Sequence, residues 1–98
     1  MEKEFLKNIL EIERNESENI VLFSDDQQNL SFMAFMESAL FIKKMFKEKE
    51  LETKLIPGFS KPVLCVRNIL ISDIVKVFQC SKLEFNIHFI RIPFWALK

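Results

Sequence analysis

The sequence predicts an α+β fold of ferredoxin-like plan: a split βαβ sheet in the order β-α-β-β-α-β, with an added N-terminal helix. Three observations carry that expectation. Short runs rich in β-branched and aromatic residues alternate with stretches of helical periodicity. A Pro57-Gly58 pair punctuates the middle of the chain between two such runs. The length of 98 residues and a hydrophobic fraction of 49% suit one domain with one modest core. The chain divides into residues 1–14, an amphipathic helix, and 15–98, a single α+β domain.

Met1 to Arg14 places Phe5, Leu6, Ile9, Leu10 and Ile12 at helical spacing, with Glu2, Lys3, Glu4, Lys7, Glu11 and Glu13 on the wet side. NESEN, residues 15–19, breaks the pattern. Ile20 to Phe23 is a short apolar run and SDDQQN after it is turn-like. Leu30 to Met36 has two readings. It is either a strand or the first turns of one long helix running to Lys49. The long helix would be apolar on two nearly opposite sides, so the strand is preferred, forming a hairpin around Asp25-Asp26. Ser38 to Glu50 is helical in both readings and ends in the solvated run KEKE.

Leu51 to Pro57 is the next strand. Ile56-Pro57-Gly58-Phe59 fits a type II turn, because Pro fixes φ at its second position and Gly tolerates positive φ at its third. Val63 to Ile71 continues as a strand. Ser72 then caps a helix that carries Ile74, Val75, Val77 and Phe78 inward. Leu83 to Ile92 is the last strand, where Phe85, Ile87 and Phe89 alternate with Asn86 and His88. Ile90 and Ile92 shift the phase, which calls for a bulge or for cover on both faces.

Fourteen cationic residues balance fourteen acidic ones. That balance argues against a nucleic-acid partner, which draws on a basic footprint. A sheet that stacks RNA bases would also carry a basic-Gly-aromatic pattern that VLCVRN lacks. No apolar run reaches membrane-spanning length and the N-terminus lacks signal-peptide organisation, so a cytoplasmic protein is expected, with no membrane partner. Its two cysteines are then expected as free thiols. One Gly excludes a glycine-rich phosphate loop, no Cys/His cluster suggests a metal, and no cofactor is implied.

Cys65, in VLCVRN, is the candidate catalytic residue. A reactive thiol there would want exposure and a nearby cation, with Lys61 and Arg67 close in sequence. The competing reading is a small buried hydrophobe in a strand. Cys80 lies off the apolar centre of its helix and reads as incidental. His88, the only histidine, is tied to no nucleophile by spacing and reads as a half-buried strand residue. Asp25-Asp26 reads as a turn before it reads as a metal site. Phe94 and Trp95, in RIPFWALK, are the candidate partner-binding residues, since large aromatics there pack on the domain or on a partner.

ALFIKKMFKEKELETKLIP, residues 39–57, resembles the sulfur/selenium carrier-like family of small domains. Ala39, Leu40, Lys44, Lys47, Glu48, Leu55, Ile56 and Pro57 match its course of helix and strand ending in Leu-Ile-Pro. The ISDIVKVF helix and the final strand follow in the family's order, so about two-thirds of the chain is covered. The family continues with a Pro-Arg-Glu segment and Cys-Gly. This chain has GFSKPVLCV, with Cys65 one position early and without the Arg-Glu pair or the Gly. The resemblance implies the fold and a thiol that would accept persulfide sulfur or selenium and hand it on. The residues themselves favour a small protein–protein interaction module of unknown process, self-associating or bound to a protein partner, with no polar catalytic set. Thiol carriage through Cys65 is the alternative.

Overall fold

Apolar residues on both faces of the central strands force a layer onto each side of the sheet. The computed structural model describes residues 3–16, 18–26, 28, 30–85 and 88–97. In chain order these form α1 (Lys3–Asn15), β1 (Asn19–Asp26), β2 (Ser31–Phe35), α2 (Met36–Met45), β3 (Leu51–Lys54), β4 (Val63–Leu70), α3 (Ile71–Val77), β5 (Glu84–Phe85) and β6 (Phe89–Pro93). Among the described residues the fold is α+β: one six-stranded antiparallel sheet in the order β3-β4-β2-β1-β6-β5, with three α-helices. No helix among the described residues is long and apolar enough to cross a membrane.

Alternation along β1 and β2 splits the core in two. Ile20, Leu22, Phe32 and Ala34 face α2 and α3, where they meet Ile42, Ile74 and Phe78. Val21, Phe23, Met33 and Phe35 face the other way, where Leu6 and Ile9 of α1 cover them. The N-terminal helix thus supplies the cover that the second face needs. Fully burying each of the larger of these side chains contributes roughly 1.5–3 kcal/mol.

β4 stands between β2 and β3 and runs antiparallel to both. The second half departs from a ferredoxin-like order, because β1 stands between β2 and β6. Ile20 to Phe23 are buried on both faces, so this run takes a central place with a neighbour on each edge.

Several boundaries move from their sequence expectations. Residues 31–35 are a strand, as preferred, but α2 begins at once at Met36 and stops at Met45. Lys43 Nζ donates to the carbonyl oxygens of Lys47 and Lys49, turning the KEKE run back on the helix end. Asp25 and Asp26 lie in β1 and not in the turn after it. Asp25 is the extra residue of a β-bulge against β2. A second bulge sits in β4, where Arg67 and Asn68 fall between the pairs Ala34–Val66 and Phe32–Ile69. Asn68 has φ 59°, a left-handed conformation that Asn tolerates.

Gly58 has φ 93° and the Phe59 N–H donates to the Ile56 carbonyl at 3.1 Å, which completes the expected Pro-Gly turn. The cap of α3 is not Ser72. The helix starts at Ile71 after Leu70, and Asp73 Oδ2 accepts the Leu70 N–H at 3.0 Å. The expected last strand is two strands, β5 and β6, folded on each other with Glu84 opposite Arg91 and Phe85 opposite Ile90. The phase shift at Ile90 marks this reversal. Asn86 and Ile87, part of the expected alternation, lie outside the described residues, as do Met1 and Glu2 of the expected first helix.

Candidate functional site

Cys65 sits on the α1 side of β4, opposite Phe35 of β2 and Glu52 of β3. It is 5% exposed and packs with Phe35, Val63 and Met33. Burial pushes its thiol up to about 11, and the Glu52 carboxylate adds to that. The nearby cation of Arg67 is engaged elsewhere. Arg67 makes a two-pronged ion pair with Asp25, Nε to Oδ2 at 3.1 Å and Nη2 to Oδ1 at 2.9 Å. This pair joins the two bulges of the sheet. Lys54 and Arg67 pull the thiol the other way, but burial outweighs them, so it lacks the exposure that activation needs.

Phe94 and Trp95 follow β6 on a tail whose backbone is fixed. The Gln79 N–H donates to the Ala96 carbonyl at 2.7 Å, Gln79 Nε2 donates to the Leu97 carbonyl at 2.9 Å, and Ala96 is fully buried. Phe94 leans on Phe41 of α2, with ring centroids 5.1 Å apart. Trp95 turns outward and is 68% exposed, with the Lys82 ammonium 5.9 Å from its ring centroid. The tail thus carries an exposed indole on a hydrogen-bonded backbone.

A cleft of ≈ 840 Å³ opens between α1 and the β3–β4 loop. Leu10, Met36, Phe59 and Val63 give it an apolar lining, with Lys7, Arg14, Lys61 and Glu11 around it and Phe94 at one side. Met36, the first residue of α2, has φ 51°. A non-glycine residue there stores about 1–3 kcal/mol of strain. The strain comes from passing from strand to helix with no connecting residue.

Beside this cleft lies a contact that sequence reasoning missed. Glu13 was expected on the wet side of its helix, yet it is 6% exposed. Its Oε1 accepts the N–H and the O–H of Ser38, each at 3.1 Å. Ser38 Oγ in turn accepts the Val21 N–H at 3.1 Å. Phe35, the N-cap residue of α2, has no side chain able to cap, and Glu13 does that work from another helix. Burial pushes the Glu13 carboxyl above its ordinary value, the two bonds from Ser38 oppose the push, and Glu37 reinforces it. The signal was available: at 100° per residue Glu13 falls about 20° from Leu6, inside the buried stripe.

His88 is exposed just before β6, and its carbonyl accepts the Ser24 N–H at 2.8 Å. Cys80 opens a 3-10 turn, Cys80–Lys82. The structure thus leaves Cys65, His88 and the Phe94–Trp95 tail in separate places, and among the described residues no group of acidic, Cys and His side chains could hold a metal ion. No family model matches the chain, and neither a curated protein nor a solved structure matches it.

Proposed function

We propose that the chain is a cytoplasmic protein–protein interaction module, self-associating and presenting Phe94 and Trp95 to a protein partner. The observation that carries this reading is the outward Trp95 on a backbone fixed by Gln79 and buried Ala96. A large indole held in water by a rigid tail adds little to the fold and loses little entropy on docking. The split βαβ form of β2-α2-β3 supports a distant kinship with ferredoxin-like carrier domains. Fold kinship alone assigns no activity. The alternative, sulfur or selenium carriage by Cys65, needs a thiolate that a donor can reach, and burial works against it.

The test places a photo-crosslinking benzoylphenylalanine at position 95 in cells that make the chain. A discrete adduct that disappears with Phe94→Ser is expected. Its mass separates a second copy from a different protein. A position-95 probe that crosslinks to nothing would sink the reading.

A further inference from the structure

The two edges of the sheet are unequal. β5 has two residues, too few to template another strand. β3 is the other edge, and an edge strand offers a row of unpaired N–H and C=O groups. Along this edge the chain reads Leu51-Glu52-Thr53-Lys54-Leu55. Its chemistry is the same from either end, apolar, charged, Thr, charged, apolar, except that the two charges are opposite in sign.

We propose that β3 pairs antiparallel with β3 of a second copy about a two-fold axis at Thr53, joining the two sheets into one. In this register Glu52 stands opposite Lys54 of the second copy, and Lys54 opposite its Glu52. Leu51 stands opposite Leu55, and Thr53 opposite its own counterpart. Opposite charges and Thr–Thr pairs directly across an antiparallel ladder are favourable. Glu52 and Lys54 already share one face, with Lys54 Nζ 3.5 Å from Glu52 Oε2. Leu51 packs against the core on the α2 side, and Leu55, the first residue after β3, would join that same face once pairing extends the strand by one residue. Leu55 is 84% exposed, the most exposed large apolar residue among those described. Pairing would lay it against Leu51 of the second copy.

A charged edge ordinarily repels other strands. Here the charges repel most registers and satisfy this one, which is how charge order sets specificity. Outward N–H and C=O groups come from alternate residues of the strand. A two-fold axis at Thr53 bonds either set, Thr53 to itself or Glu52 to Lys54. The contact is isologous, so it closes at two copies. With a net charge of zero, no long-range repulsion opposes it. The pairing rests on the reading of the chain as a self-associating module. It uses a surface separated from the Phe94–Trp95 tail by β4, β2 and β1.

Sedimentation equilibrium of the full chain tests it. The expected dimer is weak, with a dissociation constant in the micromolar range, because the interface is small. Glu52→Lys and Lys54→Glu should each weaken it by roughly tenfold or more, since each change converts two attractive pairs into repulsive ones. The double variant should restore it. Leu55→Asp should abolish it, and Trp95→Ala should leave it unchanged. A dimer indifferent to both charge reversals but lost in Trp95→Ala overturns the edge pairing and leaves the module reading standing. A chain monomeric at millimolar concentration overturns the pairing and self-association together.

Discussion

Glu13 Oε1 accepts both the backbone N–H and the hydroxyl of Ser38, a residue 25 positions away on another helix. This contact fixes three elements at one point. α1 supplies the carboxylate, α2 supplies the serine and the otherwise uncapped helix start, and β1 supplies the Val21 N–H that Ser38 Oγ accepts. Val21 lies in the part of β1 that extends beyond the paired length of β2, which turns into α2 at Met36. Ser38 stands where a strand neighbour would otherwise be.

Removing Glu13 should therefore cost more than a surface charge. Glu13→Ala leaves a buried N–H and hydroxyl without their acceptor, a loss of about 1–3 kcal/mol in urea unfolding. Glu13→Gln keeps an acceptor and should cost less. The pH dependence has a definite sign. Burial raises the Glu13 carboxyl, so the folded chain holds that proton more firmly than the unfolded one. Its contribution to stability is full below the unfolded value and is lost as pH rises through the higher folded value. The stability of the parent minus that of Glu13→Gln should fall across that window. A difference that climbs with pH would show that the bonds from Ser38 outweigh burial.

Backbone conformation gives a prediction that no side-chain contact would suggest. Leu30 has φ 50° in the β1–β2 turn and is exposed. Its side chain is in a left-handed position with little packing to lose. Leu30→Gly should raise stability by about 1 kcal/mol, the strain relieved less the entropy glycine adds to the unfolded chain. Asn68→Gly at φ 59° should change little, because Asn already tolerates that conformation. Thermal unfolding of the two variants checks both statements, and a destabilised Leu30→Gly would mean that the turn depends on the leucine side chain.

Local chemistry was legible in the sequence wherever one residue type decided the backbone. Pro57-Gly58 gave the turn, and the strand reading of residues 31–35 followed from the excess of apolar residues that a single helix could not bury. Features that depend on distant partners were not legible. Glu13 reads as a wet helix residue until Ser38, far along the chain, is brought beside it. Ser72 reads as a cap because it precedes an apolar run, while Asp73 does the capping by reaching back to Leu70. The single last strand failed for a related reason. Alternation at Phe85 and Phe89 is equally compatible with two strands folded on each other, and only pairing distinguishes them. At the candidate site, both tail aromatics could be singled out from sequence, but the division between them could not. Phe94 turns to Phe41 and Trp95 to water.

That division predicts different costs. Trp95→Ala removes an exposed ring and should change stability by under about 0.5 kcal/mol. Phe94→Ala loses the packed Phe41 pair, an aromatic contact of about 0.5–1.5 kcal/mol together with some buried area. Equilibrium unfolding of the two variants separates them. If Trp95→Ala proves the more damaging, the indole belongs to the fold, and its exposure no longer speaks for a partner.

Asp73 gives a test with the opposite pH sign to Glu13. Burial works to raise its carboxyl, but the Leu70 N–H and the Lys49 ammonium, 3.0 Å away, outweigh it and hold the group below its ordinary value. The stability Asp73 contributes is present above its unfolded value and is lost as pH falls through the folded one. Asp73→Ala should cost about 1 kcal/mol near neutral pH, the size of a lost helix cap, and progressively less in acid. A cost that stays constant into acid would mean the aspartate acts through packing and not through its charge.

Cys65 decides between the module and the carrier. A thiol pushed up to about 11 is ionised to roughly one part in a thousand at pH 8, against a fifth or more for an ordinary cysteine near 8.5. Its burial between β2, β3 and α1 further denies a reagent access. In the Cys80→Ser protein, alkylation at pH 8 should run at least about a hundredfold slower folded than unfolded, from the thiolate fraction alone. The rate should also follow the opening of the fold, accelerating in variants that loosen α1, such as Glu13→Ala. Titrating the reaction upward in pH should show no plateau near neutrality. A native thiol that outpaces the unfolded one, with its titration shifted below the ordinary cysteine value, would reverse the conclusion. It would mean that α1 moves aside to present Cys65 as a thiolate, and sulfur carriage would become the function to pursue.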